Sequence, residues 1–183
     1  SLPSHEIRSG FAEIVKEAYI ANDPLLKELL TKNLDEISED ELIRYLYEGI
    51  LVKANIVEQD EKESHIRKFL NFGHTLAHAI EAELGYGELT HGEAVAIGML
   101  FALRVSEQFT NENLYSAMYK QWLHKNGYPL SLYDIQSKVI SETMKLDKKA
   151  QNEQIQMVLL NKIGDPEIKN FSDEQIYEYL EAF

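Results

Sequence analysis

The sequence has no cysteine among its 183 residues. Disulfides and thiolate metal sites are therefore excluded, so any bound metal ion must be held by histidine, aspartate or glutamate. The sequence also lacks an apolar run of about 18 residues or more, and this argues against a membrane-spanning helix. We expect a cytoplasmic protein without a membrane partner.

Positive charge is scarce as well. The chain has 18 Lys and Arg residues against 31 Asp and Glu residues, and its formal net charge is −13. This balance argues against a nucleic-acid partner, because no basic stripe is available to neutralise phosphates. An anionic ligand would be repelled by the overall field, so a few local Lys and Arg side chains would have to bind it.

The length suits one domain with its own core, and the start at Ser1-Leu2-Pro3, without an initiator Met, suggests a piece of a longer protein. The apolar periodicity predicts a mainly α, multi-helix domain. A small β-hairpin is predicted from residues 154–160 and a partner at about 166–170. The predicted helices cover about 10–21, with Ser9 as N-cap, 24–32, 38–59, 66–84, 92–109, 111–125 and 134–145, and one after 172.

Two capping boxes locate helix starts. Thr90-x-x-Glu93 places His91 at the first position of a helix that is apolar on nearly every side and is expected to be central and buried. Ser172-x-x-Gln175 similarly predicts the start of the C-terminal helix.

One polar stripe stands out between residues 66 and 84. Arg67, Asn71, His74 and His78 are spaced by four, three and four residues, which places them on one face of the predicted helix. Such groups are costly to bury unless something polar meets them. The stripe is therefore a candidate half of a metal and anion site.

The metal ligands can be only partly assigned from spacing. His74 and His78 could face one ion, and His91 lies after a glycine-rich turn where the chain could fold back over them. Two or three imidazoles with one carboxylate suit zinc. Glu13, in an otherwise apolar segment, is the best carboxylate candidate. The alternatives are structural histidines and a Glu13 that simply faces solvent.

Candidate anion-binding residues lie in three other segments. Lys16 follows Glu13 by one helical turn, and Lys53 lies in the apolar run 50–57. Lys148 and Lys149 follow Leu146-Asp147 in a predicted turn. The alternatives are a snorkelling side chain for Lys53 and a solvated turn for the lysine pair.

Five ordered blocks of the sequence resemble the C-terminal, mostly helical domain of 3-dehydroquinate synthase. They cover nearly the whole chain, and their order is far more specific than any single block. The blocks are Arg8-Ser-Gly-Phe-Ala-Glu13-Ile-Val-Lys16, Ile56-Val57-Glu-Gln-Asp60-Glu61-Lys-Glu63, Arg67-x3-Asn71-Phe-Gly-His74-x3-His78-Ala-Ile-Glu81, His91-Gly-Glu93-Ala-Val-Ala-Ile-Gly98-Met99 and Met144-x-x-Asp147-Lys148-Lys149.

The resemblance implies a role for each matched residue. Zinc, with cobalt as a possible substitute, would be bound by Glu13, His74 and His91, so His78 would serve the substrate near its phosphate leaving group. Glu63 would be a pocket carboxylate. The implied substrate contacts are Lys16, Lys53, Arg67, Asn71 and one of Lys148 and Lys149.

The implied activity is that of a carbon–oxygen lyase of the shikimate pathway. The family converts 3-deoxy-D-arabino-heptulosonate 7-phosphate into 3-dehydroquinate. NAD transiently oxidises one hydroxyl, phosphate is eliminated, the ketone is reduced, and the ring closes by an aldol step. The family's N-terminal NAD-binding domain is absent here, so we expect the fragment to be inactive alone, and the intact enzyme to be a homodimer.

The sequence departs from the family pattern at three places: His65 and Ala77 replace common glycines, and Glu17-Ala18 replaces Tyr-Gly. The competing interpretations are another sugar-phosphate cyclase such as 2-deoxy-scyllo-inosose synthase, a metal-dependent polyol dehydrogenase of related fold, and a non-catalytic helical interaction domain.

Overall fold

A computed structural model describes residues 3–60, 66–85, 87–132, 134–146 and 154–183. Its secondary structure confirms the predicted mainly α class with a β-hairpin near the C-terminus. The elements in order are α1 (Ser4–Ala21), α2 (Asp23–Leu29), a 3₁₀ turn (Leu34–Glu36), α3 (Glu39–Asp60), a second 3₁₀ segment (Ile66–Asn71), α4 (His74–Leu84), α5 (His91–Thr110), α6 (Ser116–Lys125), α7 (Ser137–Leu146), β1 (Ile155–Lys162), β2 (Asp165–Phe171) and α8 (Asp173–Glu181).

Helix α5 is the centre of the fold. It packs against α1, α4 and β1, and it is buried along nearly its whole length, as its apolar sequence predicts. Its start is the predicted capping box: the Glu93 amide donates to Thr90 Oγ1, and the Thr90 amide donates to the Glu93 carboxylate. The helix ends at Asn111, which adopts a left-handed conformation with φ of 56°.

The prediction of one helix over 66–84 is wrong. Residues Ile66–Asn71 form a 3₁₀ segment, and α4 begins only at His74. The break is at Gly73, whose φ is 79°, and a Cβ there would lie 2.6 Å from Met99 Cγ. The regular spacing of the polar stripe therefore spans two elements rather than one helical face.

Other boundaries differ by a few residues. Helix α1 begins at Ser4, so Ser9 lies inside the helix and is not its N-cap. Helix α6 begins at Ser116 rather than at about 111, and α7 begins at Ser137 rather than at about 134. The remaining starts and ends agree with the prediction to within about one turn, the usual uncertainty of a helix boundary.

The hairpin is antiparallel, as predicted. Ile155 pairs with Phe171 and Val158 with Ile168, and the register shifts near Leu160. The strand β1 lies on α5 with four consecutive buried residues, 157–160. The second predicted capping box is present at Ser172, before α8. Among the described residues, no helix is both long and apolar enough to cross a membrane.

Candidate metal centre

Two close backbone approaches join α1 and the start of α4 to the N-terminal half of α5. Gly92 lies so near α1 that a Cβ would sit 2.2 Å from the Ser9 carbonyl oxygen, and the Gly92 amide donates to Ser9 Oγ. Gly98 lies against Gly73, whose carbonyl oxygen would be 1.9 Å from a Cβ. Small residues thus allow backbone contact at both junctions, which fixes where side chains from all three helices meet.

Glu13, His74 and His91 meet at this point. Glu13 Oε1 lies 3.6 Å from His74 Nε2 and 3.6 Å from His91 Nε2. One donor atom from each residue lies within 4.8 Å of the other two. Over the described part of the chain, Glu13 Oε1 is buried and accepts no hydrogen bond. A carboxylate oxygen left in this state between two imidazole nitrogens fits a cation that all three would coordinate.

A hydrogen bond at Nδ1, the nitrogen that does not face Glu13, orients each imidazole. His74 Nδ1 lies 3.1 Å from the Phe72 carbonyl oxygen, and His91 Nδ1 lies 3.0 Å from Glu81 Oε1. Only a protonated Nδ1 can donate to these oxygens, so in the neutral form of each ring the lone pair lies on Nε2. A carbonyl or carboxylate behind a histidine is the usual outer partner of a metal ligand.

The protonation states also suit metal binding. Burial, together with the positive charge of Lys16, lowers the pKa of His74 to about 4, so its ring is neutral near pH 7. Burial by itself raises the pKa of Glu13. The charge and hydrogen bond of Lys16, with the two imidazoles, outweigh burial and hold that pKa below its usual value. The site therefore offers one carboxylate and a neutral His74.

Lys16 is the hydrogen-bond donor to Glu13. Its Nζ donates to Glu13 Oε2 at 2.5 Å, and its side chain is only 5% exposed. Glu17 follows Lys16 on α1, and its Oε1 lies 3.6 Å from Lys16 Nζ. Burial raises the pKa of Glu17 despite this neighbour.

The centre lies in an open cavity of about 940 Å³. Four cationic side chains contribute to its wall, and three of them, Lys16, Lys53 and Arg67, were among the predicted anion contacts. Lys53 and Arg67 are both exposed. Their side chains are therefore accessible to a ligand in the cavity. The polar lining residues are Glu13, Lys16, Glu17, Lys53, Asp60, Arg67, Lys68, Asn71, His74 and His91.

His78 is absent from that lining. It is an exposed residue of α4, with its ring centroid 5.6 Å from that of His74 and 6.1 Å from that of His91. It belongs to a second possible trio, His78, Glu81 and His91. Within the described ranges, His74 and His78 share no such trio, so the interpretation of the i, i+4 pair as joint ligands receives no support.

The remaining predicted site residues, Glu63, Lys148 and Lys149, lie outside the described residues. Sequence reasoning also missed four polar contributors, which are Glu81, Glu17, Lys68 and Asp60. Glu81 could have been noticed because it follows His78 by three residues on one helix and ends the third resembling block. Asp60 likewise lies in the second resembling block, and Glu17 was noticed only as a departure from the family pattern. Lys68 carries no comparable signal, since a charged residue beside a turn is usually solvated.

The chain is similar to known proteins over most or all of its length. Residues 10–150 match the family model described as 3-dehydroquinate synthase C-terminal. The 3-dehydroquinate synthases of Bacillus pumilus and Oceanobacillus iheyensis are 47% and 50% identical to the chain over 185 residues. Each alignment covers 100% of the chain and 51% of the relative. The chain thus spans about half the length of the curated relatives it matches.

Two solved structures show a similar fold. One is 2-deoxy-scyllo-inosose synthase complexed with carbaglucose-6-phosphate, NAD⁺ and Co²⁺, at a TM-score of 0.75 and 23% identity over 98% of this chain and 52% of that one. The other is 2-epi-5-epi-valiolone synthase from Streptomyces hygroscopicus with NAD⁺ and Zn²⁺. Its TM-score is 0.84 and its sequence identity is 19%, over 100% of this chain and 52% of that one. Together with the family match, these likenesses confirm the predicted fold class, and the chain belongs to the 3-dehydroquinate synthase C-terminal family.

Proposed function

We propose that this chain forms the metal- and substrate-binding part of a 3-dehydroquinate synthase. The intact enzyme would be a lyase that converts 3-deoxy-D-arabino-heptulosonate 7-phosphate into 3-dehydroquinate with NAD. The observation that carries the proposal is the convergence of Glu13, His74 and His91 beside several cations in one cavity. Because the chain belongs to this family, we interpret the convergence as a metal site beside a substrate-binding site.

Zinc or cobalt is the metal we propose for the centre. Glu13, His74 and His91 would hold it, since two imidazoles and one carboxylate with an open position suit a borderline divalent ion. When bound, the ion would polarise a substrate hydroxyl and keep neighbouring oxygens in place. Two proteins of the same fold were solved with Co²⁺ or Zn²⁺, which supports this choice.

The cations around the centre would bind and orient a phosphorylated sugar acid. Lys53 and Arg67 are exposed in the cavity wall and would contact its anionic groups, and the Asn71 amide would hydrogen-bond a hydroxyl. Lys16 is held by Glu13, so it would reach the substrate only beside the metal. A sugar phosphate analogue is bound in one protein of this fold, and this supports the substrate class.

The other predicted roles stay proposals of the same kind. His78 lies beside the centre rather than in the described cavity wall, and it would meet the phosphate leaving group from that side. Glu63 would add a carboxylate, and Lys148 or Lys149 a further cation.

NAD would be bound mainly by a domain outside this chain. The curated relatives are about twice as long, and two proteins of the same fold carry NAD⁺. The chain alone would then bind metal without turning over substrate. A homodimeric assembly and a cytoplasmic location of the intact enzyme remain predictions.

A second candidate is another sugar-phosphate cyclase such as 2-deoxy-scyllo-inosose synthase. Its fold is shared, but the identity is 23%, against 47% to 50% for the 3-dehydroquinate synthases. A polyol dehydrogenase would have no use for so many cations around the metal. A purely structural helical domain would leave unexplained the buried Glu13 oxygen, which accepts no hydrogen bond from the residues that the structure describes.

Two experiments test the proposal. Zinc titration of the chain by calorimetry should give a single site that is lost in Glu13→Ala, and full-strength binding in that variant would refute the ligand assignment. A chimera would then carry this chain in place of the C-terminal half of the Bacillus pumilus relative. It should release phosphate from 3-deoxy-D-arabino-heptulosonate 7-phosphate with NAD⁺ and Zn²⁺, and much faster than from glucose 6-phosphate. The reverse preference would favour the second candidate.

A further inference from the structure

We propose that Glu17 is a positioning residue of the metal centre, which acts on the ligand Glu13 through Lys16. Its role rests on the proposed function of Glu13, His74 and His91 as metal ligands. The resemblance to the family does not supply it, because Glu17 stands where the family commonly has tyrosine.

Three α1 side chains form a charged group in which Lys16 and Glu17 are buried and Glu13 is half-buried. Lys16 Nζ lies 2.5 Å from Glu13 Oε2 and 3.6 Å from Glu17 Oε1. Lys16 and Glu17 follow Glu13 by three and four residues, so both lie on the same side of the helix as Glu13. The side chains of Lys16 and Glu17 are 5% and 7% exposed. A buried ammonium and a buried carboxylate are stable only when each compensates the charge of the other.

Glu13 divides its two oxygens between Lys16 and the imidazoles. Oε2 accepts the hydrogen bond of Lys16, while Oε1 faces the two Nε2 atoms. A divalent cation at Oε1 would therefore lie one carboxylate away from the Lys16 ammonium, which is only 5% exposed, so water screens the repulsion poorly. Lys16 also draws charge from the carboxylate that must coordinate the ion.

Glu17 offsets both the repulsion between Lys16 and the cation and the charge that Lys16 draws from Glu13. It lines the same cavity, and in the described part of the chain its Oε2 is buried and accepts no hydrogen bond. A buried carboxylate with one oxygen unused requires an explanation beyond packing. Because Glu17 shares the Lys16 ammonium, Lys16 binds Glu13 less strongly. Glu17 also supplies a negative charge near the cation.

The charge count gives three distinct expectations. Two carboxylates and one ammonium leave the group Glu13, Lys16 and Glu17 with one net negative charge. Glu17→Gln makes it neutral, Lys16→Met makes it doubly negative, and the double variant restores one negative charge. Zinc affinity should fall about tenfold in Glu17→Gln, as for the loss of other outer partners of a metal ligand. It should rise in Lys16→Met and return to within about threefold of wild type in the double variant.

The test is zinc titration of the 183-residue chain in competition with a chromophoric chelator, with circular dichroism of every variant. Glu17→Asp keeps the charge and should rescue most of the affinity. Glu6→Gln, an exposed glutamate of the same helix, is the matched control and should leave the dissociation constant unchanged. A purely structural role of Glu17 would show as a lower melting temperature without recovery of zinc affinity in the double variant.

Each outcome is decisive. Wild-type binding that disappears in Glu13→Ala supports the metal site itself. If Glu17→Gln then binds zinc as wild type does, the role of Glu17 is refuted and the proposed function stands. A double variant as weak as Glu17→Gln also refutes it. If Glu17→Gln does not fold, Lys16→Met alone decides, because unchanged or weaker zinc binding there contradicts the charge compensation. If wild type binds no zinc, the metal site and the role of Glu17 both fail.

Discussion

Replacing Glu81 by alanine should separate the two trios of possible metal ligands. Glu81 Oε1 accepts the Nδ1 hydrogen bond of His91, whose Nε2 faces Glu13. In the proposed centre Glu81 only orients His91, whereas in the trio of His78, Glu81 and His91 it would itself be a ligand. Glu81→Ala therefore weakens metal binding by different amounts in the two arrangements.

The expected loss for an orienting residue is about tenfold in zinc affinity. Removal of an outer partner of a metal ligand costs roughly 10- to 100-fold. The side chains of His91 and Glu81 are 47% and 31% exposed, so water can replace the carboxylate and the low end applies. Tenfold corresponds to about 1.4 kcal/mol. At a zinc concentration of about 100 wild-type dissociation constants, the stabilisation by zinc should fall from about 2.7 to about 1.4 kcal/mol.

Zinc titration by chelator competition and thermal unfolding with and without zinc would measure this loss. For a chain of this length, the zinc-dependent rise in melting temperature should shrink by about 3–5 °C. The zinc-free melting temperature should change little. Glu83→Ala, which removes an exposed carboxylate of the same helix, is the matched control and should keep wild-type affinity. Wild-type zinc affinity in Glu81→Ala would refute the orienting role. Complete loss, as in Glu13→Ala, would make Glu81 a ligand.

Three further predictions concern packing, anion binding and acid stability. Gly98→Ala should lower the free energy of unfolding in urea by about 1–3 kcal/mol or more, because the new Cβ meets the Gly73 carbonyl oxygen; an unchanged midpoint would contradict the backbone contact. Arg67→Ala should weaken inorganic phosphate binding to the zinc-loaded chain roughly fivefold, about the value of one exposed charge contact, and equal binding in calorimetry would remove Arg67 from the anion site. Hydrogen bonds, first from Lys32, lower the pKa of Glu41 from 4.5 to about 2. The stability it contributes is therefore complete above pH 4.5 and lost as the pH falls towards 2, and a carboxyl NMR titration midpoint near 4.5 would contradict this.

Features that depend on neighbouring residues could be predicted from the sequence. The Thr90 and Ser172 capping boxes are local hydrogen-bond patterns, and both are present. The apolar character of α5 predicted its burial, and the alternation at 154–160 predicted β1. Each of these needs only a short window of sequence.

Features that depend on a distant backbone could not be predicted. The break before His74 depends on Gly73 meeting α5. An isolated glycine in a periodic segment does not reveal such a contact. The convergence of Glu13 with His91 has the same origin, since nothing local links positions 13 and 91. The residues alone made Glu13 and His91 candidates, and only the resemblance to the family selected them together with His74 as the ligand set.

A metal ion in the cavity would also resolve the conflict between an acidic chain and the proposed anionic substrate. Its described wall carries Lys16, Lys53, Arg67 and Lys68, but Glu13, Glu17 and Asp60 cancel three of these four charges. With the chain as a whole at −13, one net positive charge would attract a phosphorylated acid only weakly. A divalent ion held by Glu13, His74 and His91 would raise the local charge from one to three. Metal binding would therefore precede substrate binding, and anion affinity should depend on zinc even for ligands that never touch the ion.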